Sequence, residues 1–159
     1  MKLKEGDIIL FKGTSYISKA IEFATRSPYS HSACYVGNGF IIEADWGGVI
    51  YSRLDGKYHK TEYDVYRHKT ASRLELAIAI EYMMLQEGKG YDYLGVYGIL
   101  KSMVFLRSDN PFDNKNKVWC QELVMDGYIA AQLPVDCHPN TSRCAPRDTA
   151  ADKNFERVM

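Results

Sequence analysis

Val118-Trp119-Cys120-Gln121-Glu122-Leu123-Val124-Met125-Asp126-Gly127-Tyr128 places Cys120, Leu123, Val124, Gly127, Tyr128 and then Ala131 at successive steps of three and four residues. That spacing predicts a helix with one continuous apolar stripe that packs inward. Cys120 falls in the first turn of the stripe. A thiol there is shielded from bulk water yet stands beside backbone N–H groups that have no acceptor within the helix. Such a setting lowers a cysteine's pKa and makes its thiolate nucleophilic. The Cys120 N–H is also a natural donor to an oxyanion. A buried free cysteine is equally an ordinary small core residue, and the stripe alone fits both roles.

A nucleophilic thiol needs a base, and the histidine in the most suitable setting lies far upstream, in Ser30-His31-Ser32-Ala33-Cys34-Tyr35-Val36. Two strand-like runs, His31 to Val36 and Phe40 to Asp45, flank Gly37-Asn38-Gly39, a strong hairpin signal. Alternation puts His31, Ala33 and Tyr35 on one face and Ser32, Cys34 and Val36 on the other. With a three-residue loop and its bulge, Val36 faces Phe40, Ala33 faces Glu43 and His31 faces Asp45, so that both carboxylates share the histidine's face. A two-residue loop slips the register and sends Glu43 to the Cys34 face. The glycine on each side of Asn38 favours the longer loop.

Glu43 sits in Ile41-Ile42-Glu43-Ala44, a setting that demands a partner for its charge. A carboxylate on a histidine's second nitrogen fixes the tautomer and stabilises the imidazolium. Asp45, beside Trp46, is the other carboxylate on this face and is expected to be solvated. His59 in a polar loop, His68 at a strand end beside Lys69, and His138 beside Cys137 read as surface residues.

Elsewhere, Asp7 to Phe11 forms a short apolar strand entered through Gly6. Ile17, Ala20, Ile21 and Ala24 mark an amphipathic helix from Ser15 to Thr25, stopped by Ser27-Pro28-Tyr29. Gly48 to Arg53 and Glu62 to Arg67 add strands around a polar turn at Asp55-Gly56-Lys57. A helix from Ser72 to Gln86 carries Leu74, Ala77, Ile78, Glu81 and Leu85 on one face and ends at Gly88 and Gly90. Tyr93 to Leu106 reads as another helix, weakened by Gly95 and Gly98; a polar loop, Ser108 to Lys117, then leads to the Cys120 helix, which Pro134 closes. Strand–helix, then antiparallel strands, then helices predicts an α+β fold.

A chain of 159 residues predicts a single domain spanning 1–159. Twenty basic and twenty acidic side chains cancel, with no basic stripe, which argues against a nucleic-acid partner. No run approaches transmembrane length, and Met1-Lys2-Leu3-Lys4-Glu5-Gly6-Asp7 has no signal-peptide core, so a cytoplasmic location is expected. The four cysteines form no compact disulfide framework, and Cys137-His138 with Cys144 matches no structural zinc spacing. Reduced thiols, no metal and no cofactor are expected.

In order along the chain, several blocks resemble the circularly permuted branch of the NlpC-like, papain-fold hydrolases, the YiiX-like proteins. They are Gly6-Asp7-Ile8-Ile9-Leu10-Phe11, Ser30-His31-Ser32-Ala33-Cys34-Tyr35-Val36-Gly37 leading to Ile42-Glu43-Ala44, Gly90-Tyr91-Asp92-Tyr93, Trp119-Cys120-Gln121-Glu122-Leu123-Val124, and Pro146-Arg147-Asp148. The resemblance implies a papain-like fold, with a small antiparallel β-barrel or sheet packed on the helix that bears the cysteine. It also explains why the histidine precedes the cysteine. Carried over to this chain, it implies Cys120 as nucleophile, His31 as general base and Glu43 as orienting residue. Tyr91, Tyr93 and Gln121 would be substrate-binding, although Gln121 stands where the family usually has serine. The activity implied is hydrolysis of an amide or ester through a thioester. Substrates would be small peptides or amides, as in the unpermuted branch, or acyl lipids, as in the lecithin:retinol acyltransferase-like proteins. Tyr91, Tyr93, Tyr97, Met103 and Phe105 would supply an apolar acyl pocket or, as their residue types favour, plain core. A non-catalytic binding module retaining the fold is the remaining alternative.

Overall fold

The computed structural model describes residues 2–13, 16–98 and 116–159. Its centre is an antiparallel sheet built from β1 (Ile8–Lys12), β2 (His31–Gly37), β3 (Phe40–Asp45), β4 (Gly48–Arg53), β5 (Glu62–His68) and β8 (Phe155–Arg157), in the order β4-β3-β2-β1-β5-β8. A strand enclosed on both sides must be apolar on both faces, and Ile8, Ile9, Leu10 and Phe11 of β1 are all buried between β2 and β5. A second, two-stranded parallel sheet pairs β6 (Gly90–Tyr91) with β7 (Lys117–Val118).

The helices are α1 (Tyr16–Thr25), the short α2 (Leu54–Lys57), α3 (Arg73–Met84), α4 (93–98), α5 (Cys120–Ala130) and α6 (Pro146–Ala151). α5 packs on β2, β3 and α3. Ile8, Leu10, Cys34, Ile42 and Ala44 of the sheet meet Ala79 and Met83 of α3 and Leu123, Val124 and Tyr128 of α5 in the main core. The opposite face, carrying Ile9, Phe11, Ala33 and Ile41, is covered by Leu54 with Tyr58 and Tyr63. The α+β class and the apolar stripe of α5 therefore stand as read from the sequence. No helix among the described residues is long and apolar enough to cross a membrane.

Several expectations are corrected. α3 buries Ala79 and Met83, with Leu76 and Ile80 packed beside them, while Leu74, Ile78 and Leu85 are exposed. The turn at Asp55-Gly56-Lys57 is the helical turn α2. His68 is buried rather than superficial, edge-on to Phe155 and with Nε2 3.0 Å from the Pro134 carbonyl. The strands β6, β7 and β8, of two or three residues each, are too short to carry a periodic signal. Of the helix expected from Tyr93 to Leu106, 93–98 is helical; its remainder, with Met103 and Phe105, and most of the loop after Ser108 lie outside the described residues.

Candidate functional site

The β2–β3 hairpin sets the site. Gly37 faces Phe40 across a two-residue turn in which Asn38 and Gly39 both have positive φ, 52° and 82°. A bulge at Val36 then shifts the ladder, so that Tyr35 faces Ile41 and Cys34 faces Ile42. One extra residue on β2 thus restores, for the body of the hairpin, the register of the longer loop. Continued along both strands, it aligns Ala33 with Glu43 and sets the glutamate on His31's face.

Glu43 is completely buried, and its charge is met from three sides. Its Oε2 lies 2.6 Å from His31 Nε2 and accepts from the Tyr58 hydroxyl at 2.5 Å, while its Oε1 accepts from Lys57 Nζ at 2.9 Å. Asp45 does not reach His31; it pairs with Lys57. Burial alone would raise the Glu43 carboxyl, but hydrogen bonds and charge from His31, with further hydrogen bonds from Ser52 and Tyr58, hold it well below the usual carboxylate range.

Cys120 opens α5, with Trp119 as the extended residue before it. The cysteine is 2% exposed. Burial would push its thiol up, yet the charge and hydrogen bond of His31, together with hydrogen bonds from the Ser32 backbone and hydroxyl, bring it below the ordinary cysteine value. The Ser32 hydroxyl is buried and has no other partner among the described residues, so a sulfur anion gives it an acceptor. His31 responds in the opposite sense. Burial would lower it, but the Cys120 and Glu43 anions on either side push it up to about 10. The two opposite shifts both favour a thiolate–imidazolium pair, with Glu43 behind it, over a neutral thiol–imidazole pair.

The sequence reading placed Lys57 only in a polar turn and did not single out Tyr58. Both follow β4, whose Ile50 pairs with Glu43, so α2 delivers them back over the carboxylate. The available signal was Glu43 itself: a fully buried carboxylate has more acceptor capacity than one histidine fills. The Tyr58 ring also stacks on Phe11, with centroids 4.0 Å apart, and lies against the His31 ring.

A cleft of about 310 Å³ opens at His31, between Phe11, Trp46, Lys57, Tyr58 and Tyr91. Tyr91 lines it and also packs against Trp119 and Cys120. Tyr93 is half-exposed at the margin, its hydroxyl donating to the Trp46 carbonyl and its ring beside those of Trp46 and Tyr91. Gln121 is turned inward, fully buried, and its Nε2 donates to Thr149 Oγ1 at 2.7 Å, which ties α5 to α6.

No protein-family model matches this chain, and no curated protein matches it. Its fold is similar to that of a solved structure, the metalloprotein yiiX from Escherichia coli O157:H7, DUF1105, with a TM-score of 0.74 and 21% sequence identity over 98% of this chain and 96% of that one. A likeness of that extent covers β1 through β8, and this chain has a YiiX-like α+β fold.

Proposed function

We propose that this protein is a cysteine hydrolase that cleaves an amide or ester by acyl transfer, with Cys120 as nucleophile, His31 as general acid and base, and Glu43 as the orienting carboxylate. The observation that carries this reading is His31 itself, held by Glu43 on one side and interacting with the Cys120 thiol on the other. The Cys120 sulfur attacks the substrate carbonyl carbon, and the oxyanion is met by the Cys120 N–H and its neighbour at the helix start. His31 protonates the leaving amine or alcohol, then takes a proton from the water that hydrolyses the thioester. Glu43 keeps the imidazole in one tautomer and one orientation throughout. A circularly permuted papain-like arrangement fits this order of residues, in which base and orienting residue precede the nucleophile.

The substrate belongs to the cleft. Its walls combine apolar rings (Phe11, Trp46, Tyr91) with the Lys57–Asp45 ion pair, a lining that suits a small peptide or amide and also an acyl chain. Tyr91 and Tyr93 are the proposed wall and margin for it, and Gln121 acts only by anchoring α5. The yiiX neighbour is described as a metalloprotein. Among the described residues here, no three His, Cys, Asp or Glu side chains are grouped to hold a metal ion, and the Nε2 of His31 is committed to Glu43. The donor set does not fit a metal centre, and no step is routed through one.

The test is to incubate the protein with separate pools of short peptides, simple amides and acyl esters, quench in acid, and measure the intact mass. An acyl adduct on Cys120, absent in Cys120→Ala, is expected from one pool and identifies the substrate class. Turnover of any pool by Cys120→Ala at the unmodified rate would end the proposal.

A further inference from the structure

We propose that Cys137 and Cys144 are a redox-modification site, a thiol pair that a small-molecule disulfide such as oxidised glutathione converts into an intramolecular crosslink. The pair lies apart from the Cys120 cluster and does not depend on the function proposed for it. Both sulfurs sit within hydrogen-bond distance of one acceptor, the His138 carbonyl, at 3.6 Å for Cys137 and 3.7 Å for Cys144. The two thiols also lie close enough to act on each other, Cys144 favouring ionisation of Cys137 and Cys137 opposing ionisation of Cys144. Two cysteines turned onto one carbonyl by the short 137–144 loop have their side chains converging, as a bridge between them needs.

Accessibility assigns the roles. Cys137 is half-buried and Cys144 fully buried. Cys137 therefore meets the oxidant. Its thiolate attacks one sulfur of the small disulfide and releases one small thiol, leaving a mixed disulfide. Cys144 then loses its proton to solvent, attacks the Cys137 sulfur and releases the second small thiol. Two protein thiols are oxidised to one disulfide and one small disulfide is reduced to two thiols. The mutual effect of the two thiols favours ionisation of Cys137 over Cys144. Burial and the nearby carboxylates of Asp148, Asp152 and Asp126 still hold Cys137 above its ordinary value, and Asp148 faces Cys144 as well. The reaction is therefore slow at neutral pH and accelerates as pH rises.

A metal is a poorer occupant for these sulfurs. His138 has both ring nitrogens engaged: Arg143 Nη1 donates to Nε2 at 2.9 Å, and Nδ1 lies against the Asn140 backbone, 3.1 Å from its nitrogen and 3.2 Å from its carbonyl oxygen. The loop being closed also matters to its surroundings. Thr141 Oγ1 donates to Asp126 Oδ1 of α5 at 2.6 Å, and Ala145, next to Cys144, packs on Trp119 and Cys120. A bridge here would stiffen the backing of the cysteine helix.

The full chain is incubated with excess oxidised glutathione between pH 6.5 and 8.5, quenched in acid, digested without reductant and mapped by mass. The expected product links Cys137 to Cys144 in the native protein and reverts with dithiothreitol. Its rate of formation should rise close to tenfold per pH unit and the melting temperature by about 5 °C. Cys144→Ser should stop at the glutathione adduct on Cys137. An adduct on Cys137 that persists in the unsubstituted chain, or a crosslink that forms only in urea, would overturn the proposal. Alkylation of Cys120 reports separately on the hydrolase reading and is unaffected by either result.

Discussion

Glu43 has no exposed surface yet keeps its charge, because His31, Lys57 and Tyr58 each donate to it. Removing one donor leaves a buried carboxylate short of a partner, at a cost of about 2 kcal/mol for a bond to a charged group. Tyr58→Phe is expected to keep the stacking on Phe11 while raising the Glu43 carboxyl and loosening the His31 ring. The direct readout is the rate of Cys120 alkylation by iodoacetamide against pH. In the unsubstituted protein the midpoint should lie below that of a free cysteine, since His31 outweighs burial. In His31→Ala, burial is opposed only by the Ser32 hydrogen bonds and the midpoint should move up from that of the unsubstituted protein, with Tyr58→Phe in between. A Cys120 that alkylates like a free thiol, and does so equally in His31→Ala, would remove the case for a nucleophile. At this scale the sequence disclosed Cys120, His31 and Glu43 because each was anomalous locally: a thiol in a first turn, a histidine opening a strand, a carboxylate in an apolar run. Lys57 and Tyr58 carried no anomaly, since a lysine and a tyrosine in a polar turn need no explanation until the turn folds back over Glu43.

Elements were legible where one period dominated. In α5, Cys120, Leu123, Val124, Gly127, Tyr128 and Ala131 form a single stripe, and all are buried. In α3 the run Leu74-Glu75-Leu76-Ala77-Ile78-Ala79-Ile80 is apolar on more than one side, so spacing alone selected the face of Leu74 and Ile78 over that of Ala79 and Met83. What decides between the faces is α5. Gly127 lets the two helices approach so closely that an added Cβ would stand 2.9 Å from the Ala79 carbonyl oxygen and from Met83 Cε. Gly127→Ala must push backbone as well as side chain, and should lower stability by about 2 kcal/mol in urea titration; a neutral result would mean the helices separate freely. α3 is independently fixed at its start by a capping box, Glu75 N–H on Ser72 Oγ at 3.2 Å and Ser72 N–H on Glu75 Oε2 at 2.7 Å. Ser72→Ala should cost about 1 kcal/mol by the same measurement. The hairpin shows a different limit. The glycines around Asn38 announced a turn, but the bulge at Val36 that sets the register is a property of the paired ladder.

For the molecule as a whole, the three site residues give stability a pH profile whose slopes have definite signs. Glu43 is depressed, so its contribution is present above the ordinary value of 4.5 and is lost as pH falls below it. His31 is raised, so its contribution is complete below 6.5 and is lost as pH rises from there through about 10. Cys120 is depressed, so its contribution is complete above 9.0 and declines as pH falls toward the folded value. Between the ordinary histidine and ordinary thiol values the last two slopes oppose each other. Stability should therefore change less across about pH 6.5 to 9 than His31 alone would make it, falling on the alkaline side as the unfolded thiol ionises and on the acid side through Cys120 and then, more steeply, through Glu43. Cys120→Ser removes the opposing slope while leaving His31 against Glu43. In that variant the alkaline decline should begin near 6.5 with nothing to oppose it, visible as a urea midpoint that falls more across pH 7 to 8.5 than in the unsubstituted protein. Identical profiles for the two proteins would mean that Cys120 is a neutral core thiol, and His31 no more than a hydrogen-bond donor to Glu43.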